Sequence, residues 1–239
     1  FQGGSWDIAL TKYDTSGTYL IFSTYLGGSG MDAPHSLICD SRNNVFVYGS
    51  TSSSNFPMLP SSFDPTFNGG PNISVDQVRQ YTGGSDIYIA KLSEGGDSLL
   101  GATFIGGSGS DGLNHAAILN YNYSDESRGE INLDETDFVY IASSTTSQDF
   151  PVTQNAFRTN YSGNQDAVLF KLSNDLSSLE FSTYLGGLNE DAGYAVEVAS
   201  DGSVLMAGGT ASASFPTTFN AFDNTYGGDV DGYITRFNS

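Results

Sequence analysis

The sequence predicts an all-β protein built from about three copies of one four-stranded unit plus the opening strand of a fourth. Three observations predict it. The string Asp-x-x-x-x-Lys returns at Asp7 to Lys12, Asp86 to Lys91 and Asp166 to Lys171, and again as Asp231 to Arg236. A second signature follows each complete copy: Ser23-Thr24-Tyr25-Leu26-Gly27-Gly28, Ala102-Thr103-Phe104-Ile105-Gly106-Gly107 and Ser182-Thr183-Tyr184-Leu185-Gly186-Gly187. The composition, with 29 Gly, 14 Tyr and 16 Phe, suits short strands joined by tight turns.

Each element of the unit has a local reason. The opening strands, Ile8-Ala9-Leu10, Ile87-Tyr88-Ile89-Ala90 and Ala167-Val168-Leu169-Phe170, are apolar at consecutive positions. Side chains of a strand alternate between its faces, so such a strand is covered on both sides. The Gly-Gly pair marks a tight bend. Four residues beyond it stands an aspartate, Asp32, Asp111 or Asp191.

Two more strand-like runs follow. They are Ser36 to Cys39 and Val45 to Gly49 in the first copy, Ala116-Ala117-Ile118-Leu119 and Phe138 to Ala142 in the second, and Ala195 to Val198 and Val204 to Gly208 in the third. Phe56-Pro57, Phe150-Pro151 and Phe215-Pro216 then end strand pairing, because proline donates no hydrogen bond. The reading divides the chain into the end of a preceding repeat (1–6), repeat one (7–85, insertion near 71–82), repeat two (86–165, insertion near 121–136), repeat three (166–230) and a first strand (231–239). A period of roughly 65 residues is too long for a β-helix turn and fits a four-stranded β-propeller blade sandwiched between its neighbours.

These motifs, with the Gly-x-Thr turns at Gly49-Ser50-Thr51 and Gly208-Gly209-Thr210, resemble the bacterial β-propeller repeat family SBBP. The resemblance implies a secreted or surface-attached modular protein, with type IX secretion and gliding motility among the settings of such proteins. It implies no catalytic residues. Three blades and a strand are expected to be an arc of a larger ring.

Charge narrows the function classes. With 27 Asp+Glu against 8 Lys+Arg, the net charge of −19 opposes binding to nucleic acid and to anionic membrane surfaces. No run approaches the length of a membrane-spanning helix, so direct membrane insertion is not expected. The single cysteine, Cys39, lies in an apolar run and reads as a small buried hydrophobe.

The candidate residues follow from the repeat. Asp7, Asp86, Asp166 and Asp231, with Lys12, Lys91, Lys171 and Arg236, read as structural, the basic group pairing with an adjacent blade or a loop carbonyl. Asp32, Asp111 and Asp191 read as acceptors for nearby backbone N–H groups, the sharper alternative being a Ca²⁺ site. His35 and His115 are not at equivalent positions and make poor zinc ligands with one Cys. Tyr81, Tyr121 and Tyr123, in the insertions, are the ligand-contact candidates, whereas Tyr161 and Tyr226 recur and read as plugs between blades. Three Asn-x-Ser sequons occur, at Asn72, Asn122 and Asn160.

The resulting expectation is a noncatalytic, cofactor-free extracellular module for adhesion, contacting a protein or glycan at the surface and, through its parent protein, outer-membrane secretion machinery. The alternatives are a carbohydrate-active enzyme domain and a passive spacer.

Overall fold

A computed structural model describes residues 3–75, 78–121 and 125–238. Tyr123 and the Asn122 sequon lie outside the described residues. The described chain forms four antiparallel sheets and one small hairpin. Sheet I pairs β1 (Ile8–Tyr13) with β2 (Leu20–Leu26). Sheet II runs β3 (Asp32–Cys39), β4 (Val45–Thr51), β7 (Asp86–Leu92), β8 (Leu99–Ile105), with the hairpin β5 (Ile73–Val75) and β6 (Arg79–Tyr81) inserted between β4 and β7. Sheet III runs β9 (Glu130–Leu133), β10 (Val139–Thr145), β11 (Asp166–Leu172), β12 (Leu179–Leu185). Sheet IV holds β13 (Asp191–Val198), β14 (Val204–Thr210) and β15 (Asp231–Phe237).

The sheets are out of phase with the sequence repeat. The strand opening at Asp86 is not the first of its sheet but the third, hydrogen-bonded to β4 of the preceding copy. Each complete sheet therefore joins the last two strands of one copy to the first two of the next. The reason is connection length. The Gly-Gly link from β2 to β3 is short and steps to a new sheet, while the long link after β4 returns to its own. On that return it passes the outer strand: Phe104 N donates to Asp64 O at 2.9 Å and Asp64 N to Thr103 Oγ1 at 2.9 Å. In sheet III the equivalent bonds join Tyr184 N to Arg158 O and Arg158 N to Thr183 Oγ1. The outer edge is thus covered, which removes a free strand edge from solvent.

Three cores lie between successive sheets. Between II and III pack Phe46, Tyr48, Ile87, Ile89, Ile105, Ile141, Val168, Phe170 and Tyr184. Between I and II pack Ile8, Leu10, Val45, Val47, Tyr88, Ala90 and Phe104. Between III and IV pack Ala142, Leu169, Leu185, Val196, Met206 and Tyr233. Consecutive residues of β7 thus face opposite cores, which is why that strand is apolar throughout. Burying each Ile or Leu contributes roughly 2 kcal/mol. The first strands of successive sheets, β3, β9 and β13, approach one another more closely than the last strands do, so the sheets splay radially.

Three sequence expectations are corrected. Ala116 to Leu119 is not a strand: residues 117–119 form a 3₁₀ turn inside the second insertion. That insertion does not lie between strands three and four but interrupts strand three. Asp111 bridges Thr145, the described residues between 112 and 129 lie outside the sheet, and Glu130 resumes pairing opposite Ala142. Neighbouring sheets tolerate a bulge at the same place, between Pro34 and Ser36 in β3 and between Gly193 and Ala195 in β13. The third correction is Cys39, which is exposed because it ends the first strand of its sheet, paired on one side only.

Candidate functional site

Two sets of residues carry the polar chemistry, one repeated at each sheet junction and one confined to the insertions. At the junctions the aspartate after Gly-Gly ties the turn to the end of the second strand of its own sheet. Asp32 Oδ2 accepts from Gly28 N at 2.8 Å and Ser53 Oγ at 2.9 Å, and Oδ1 from Thr51 Oγ1 at 2.5 Å. Asp111 repeats this with Gly107 N, Ser147 Oγ and Thr145 Oγ1. Asp191 accepts from Gly187 N and Ser212 Oγ. A Thr-x-Ser triplet after each second strand supplies the hydroxyls, a signal visible in the sequence at Thr51, Thr145 and Thr210.

The other aspartate set caps the loop that enters its strand. Asp86 accepts from Asn68 N at 2.7 Å and Gly69 N at 3.0 Å, Asp166 from Ser162 N and Asp231 from Gly227 N. The two sets meet across a glycine. A Cβ on Gly106 would stand 2.8 Å from Asp111 Oδ2 and 2.9 Å from Asp86 Oδ1, and Gly27 and Gly186 are flanked in the same way by Asp7 with Asp32 and by Asp166 with Asp191. Only glycine fits there. Burial, with mutual repulsion, pushes Asp86 up to about 7. Burial likewise raises Asp111 and Asp166 to about 6 and lifts Asp32 and Asp191 above the usual carboxylate range. The donors around Asp32 and Asp111 are neutral hydroxyls and amides. Among the described residues no group of three or more His, Cys, Asp or Glu stands together in a way that could hold a metal ion.

The basic set pairs mostly within its own sheet, against the expectation of a partner in the adjacent one, and among the described residues only Lys12 and Lys91 reach the next sheet. Lys91 Nζ lies 2.9 Å from Asp40 Oδ2, in the β3–β4 turn, and also reaches Asn174 in the β11–β12 turn of the next sheet. Lys12 reaches Glu94 in the β7–β8 turn. Lys171 pairs with Asp134 at 3.4 Å beneath the rings of Phe138 and Tyr140, and Arg236 pairs with Asp201. Asp40, Asp134 and Asp201 are positioning partners that the motif reading missed. Each stands in the turn before a second strand, at corresponding points of the repeat.

The insertions build the second set. Gly70 N donates to Gly83 O at 2.7 Å, so residues 71–82 leave and rejoin the repeat at one point. The hairpin they carry lays Val75 and Tyr81 onto Met31, Ala33 and Leu113, the last from the second insertion. Arg79 Nη1 donates to Ser127 Oγ, joining the two insertions directly. The second insertion is anchored onward to sheet IV: Ala116 and Leu119 pack on Ala192, and Arg128 stacks on Tyr194. Tyr81 is therefore no ligand contact. It is fully buried, its hydroxyl 2.9 Å from Ser50 Oγ. Tyr121 stands 71% exposed, with Val78 and Ile118 also exposed on the insertions. Tyr161 sits edge-on to Tyr184, filling space beside sheet III.

Beside the hairpin an open cleft of about 440 Å³ is lined by Pro71, Ile73, Ser108, Ser110, His115 and Gln148. His115 Nε2 lies 2.6 Å from Ser110 Oγ, which also meets Ser85 Oγ at 2.9 Å. Burial lowers the His115 pKa, so its imidazole is neutral at pH 7. His35 stands half-buried against Tyr48 and Ser50, and desolvation, then Arg79, depresses it to about 3.

A radial stack of antiparallel four-stranded sheets, each passing its chain from last strand to the next first strand, is the architecture of β-propeller blades. The SBBP family model, described as a β-propeller repeat, matches residues 21–57, from within β2 through the Gly-Gly turn, Asp32, β3, β4 and Phe56-Pro57. No curated protein matches the chain.

Proposed function

We propose that the chain is a noncatalytic β-propeller interaction module of an extracellular or cell-surface bacterial protein, and that its recognition face is the layer made by the two insertions. The observation that carries this reading is their convergence. Two segments that break the repeat, far apart in sequence, share one apolar underside and one direct hydrogen bond. They present Val78, Ile118 and Tyr121 outward. A net charge of −19 favours a neutral or cationic ligand, a glycan or a protein, over an anionic one. Aromatic and aliphatic groups on a polar rim are suited to such contacts.

The Ser110–His115 pair favours one alternative, a hydrolytic cleft acting on carbohydrate. Against it, Ser110 is 4% exposed and already bonded to Ser85, and the His115 main-chain N–H is held by Gln165 Oε1. A glycan and protein array run beside a polysaccharide turnover assay separates the readings. Binding that falls at least tenfold with Tyr121→Ala, without product release, is expected. Turnover abolished by Ser110→Ala would replace the interaction reading with the hydrolytic one.

A further inference from the structure

We infer that the cleft beside the hairpin binds the acetamido group of a sugar, an N-acetylhexosamine of a glycan, with His115 Nδ1 as its hydrogen-bond acceptor. This rests on the interaction reading above and names a ligand for the cleft that the two insertions border, with Pro71 and Ile73 from the first and His115 from the second.

A chain of hydroxyls fixes which nitrogen of His115 carries the proton. Ser85 Oγ donates to the main-chain oxygen of Asp111 at 3.0 Å, an atom that only accepts. The Ser85 proton is thereby used, so Ser110 Oγ donates to Ser85 Oγ across 2.9 Å. With the Ser110 proton used as well, its 2.6 Å contact with His115 carries the proton of the imidazole Nε2. A neutral imidazole has one N–H, so Nδ1 keeps a bare lone pair. Nδ1 has no protein partner among the described residues, is not sealed from solvent, and belongs to a residue that lines the cleft. The same chain points the Ser110 proton away from His115, opposite to the direction a serine nucleophile requires.

The rest of the lining suits the same group. Gln148 is exposed at the rim, and its carboxamide offers both a donor and an acceptor. Pro71 and Ile73 form an apolar wall, and among the described residues no charged side chain lines the cleft, so the ligand it fits is uncharged. An acetamido group matches all three features: its N–H meets Nδ1, its carbonyl meets the Gln148 Nε2 donor, and its methyl meets the wall. A volume of about 440 Å³ falls in the range of small-ligand clefts and leaves room for the sugar ring that carries the group. The strand at the rim, β5, has only three residues, too few to hold an added peptide by main-chain pairing, which favours a sugar over an acetylated peptide.

The test titrates the intact chain with diacetylchitobiose by calorimetry, beside cellobiose, which has the same ring linkage and no acetamido group. Saturable binding about tenfold tighter than that of cellobiose is expected. Gln148→Ala, a change at an exposed position, is expected to weaken it by about the same factor, and Tyr121→Ala, outside the cleft, to leave it unchanged. Nitrogen NMR of His115 is expected to place the proton on Nε2. Equal binding of the two disaccharides, binding of neither, binding that ignores Gln148→Ala, or a proton on Nδ1 would overturn the proposal. So would tighter binding of an acetyl-lysine peptide that depends on Gln148, since the occupant would then be a protein. Array binding lost with Tyr121→Ala, but without any binding of diacetylchitobiose, would overturn this inference alone and leave the interaction reading standing.

Discussion

The junction between sheets II and III and the junction between sheets III and IV are written with the same repeat residues, yet they treat charge differently. At II–III the lysine is sunk: Lys91 and Asp40 expose 7% and 1% of their side chains, and Asn174 of the next sheet completes the shell. At III–IV Lys171 and Asp134 expose 25% and 17%, the lysine lying beneath two rings where Lys91 lies over one, Phe46. The aspartate pairs differ in the opposite sense. Asp86 and Asp111 meet hydroxyls and amides only, whereas Arg158 stands near Asp166 and Asp191 and partly offsets their burial. One signature thus sets where charges go, and neighbouring loops set how deeply each is desolvated.

The largest effect expected from this contrast is at the lysines. Lys91→Ala leaves the Asp40 carboxylate buried without its cation, a loss on the order of 3–5 kcal/mol. The Asp40 pKa of about 2 is held down, against burial, by Asn44, Lys91 and main-chain donors. Lys171→Ala removes a shallower pair and two ring contacts, and is expected to cost about 1 kcal/mol. Urea unfolding of the two variants checks the order, and equal losses would mean that depth does not separate the junctions.

The next effect is a dependence on pH. The Asp86 and Asp111 pKa values, about 7 and about 6, lie above the 3.8 of an unperturbed aspartate. The folded chain therefore binds protons more tightly than the unfolded one. Their stabilisation is fully present near pH 4 and is lost as pH rises through 6 to 7, at about 1.4 kcal/mol for each pKa unit. Asp40 runs the other way, its contribution being lost only as pH falls toward 2. Stability is expected to peak near pH 4, and Asp86→Asn to flatten the decline between pH 4 and 7. The readout is the slope of unfolding free energy against pH, which a general loss from the substitution does not change. An unaltered slope would mean that this pair does not carry the dependence.

What could be read in advance follows from what repeats. Asp86, Lys91 and the Gly-Gly turn recur in fixed order, so the four-stranded unit and the apolar double face of β7 were legible. The phase of the sheets was not, because a periodic string has no marked origin. Only the relative reach of the links after β2 and β4 decides which strands pair. The apolar run Ala116 to Leu119 imitated a strand, while the true one hid in Glu130-Ile131-Asn132-Leu133, whose alternation ends at Asp134 as Ile38-Cys39 ends at Asp40. Tyr81 looked like a loop aromatic because insertions are usually solvated. Its burial depends on Met31 and Leu113, contacts that no local pattern announces.

The smallest expected effect sharpens the comparison most, because it acts on one junction and at one end of the pH scale. The Arg158 guanidinium donates to Ser162 Oγ and Gly186 O, both at 2.6 Å, beside the Asp166–Asp191 pair. Burial pushes Asp166 up to about 6, and Arg158 opposes that rise. In Arg158→Met the two hydrogen bonds are lost at every pH, but the charge matters only where the carboxyls are ionised. Below pH 5 the variant should differ from the parent by a constant amount. Above pH 7 a further loss of up to about 1 kcal/mol is expected. The decline of stability with pH would then steepen, making III–IV behave like II–III. A pH-independent offset would show that Arg158 acts at this junction through its hydrogen bonds and not its charge.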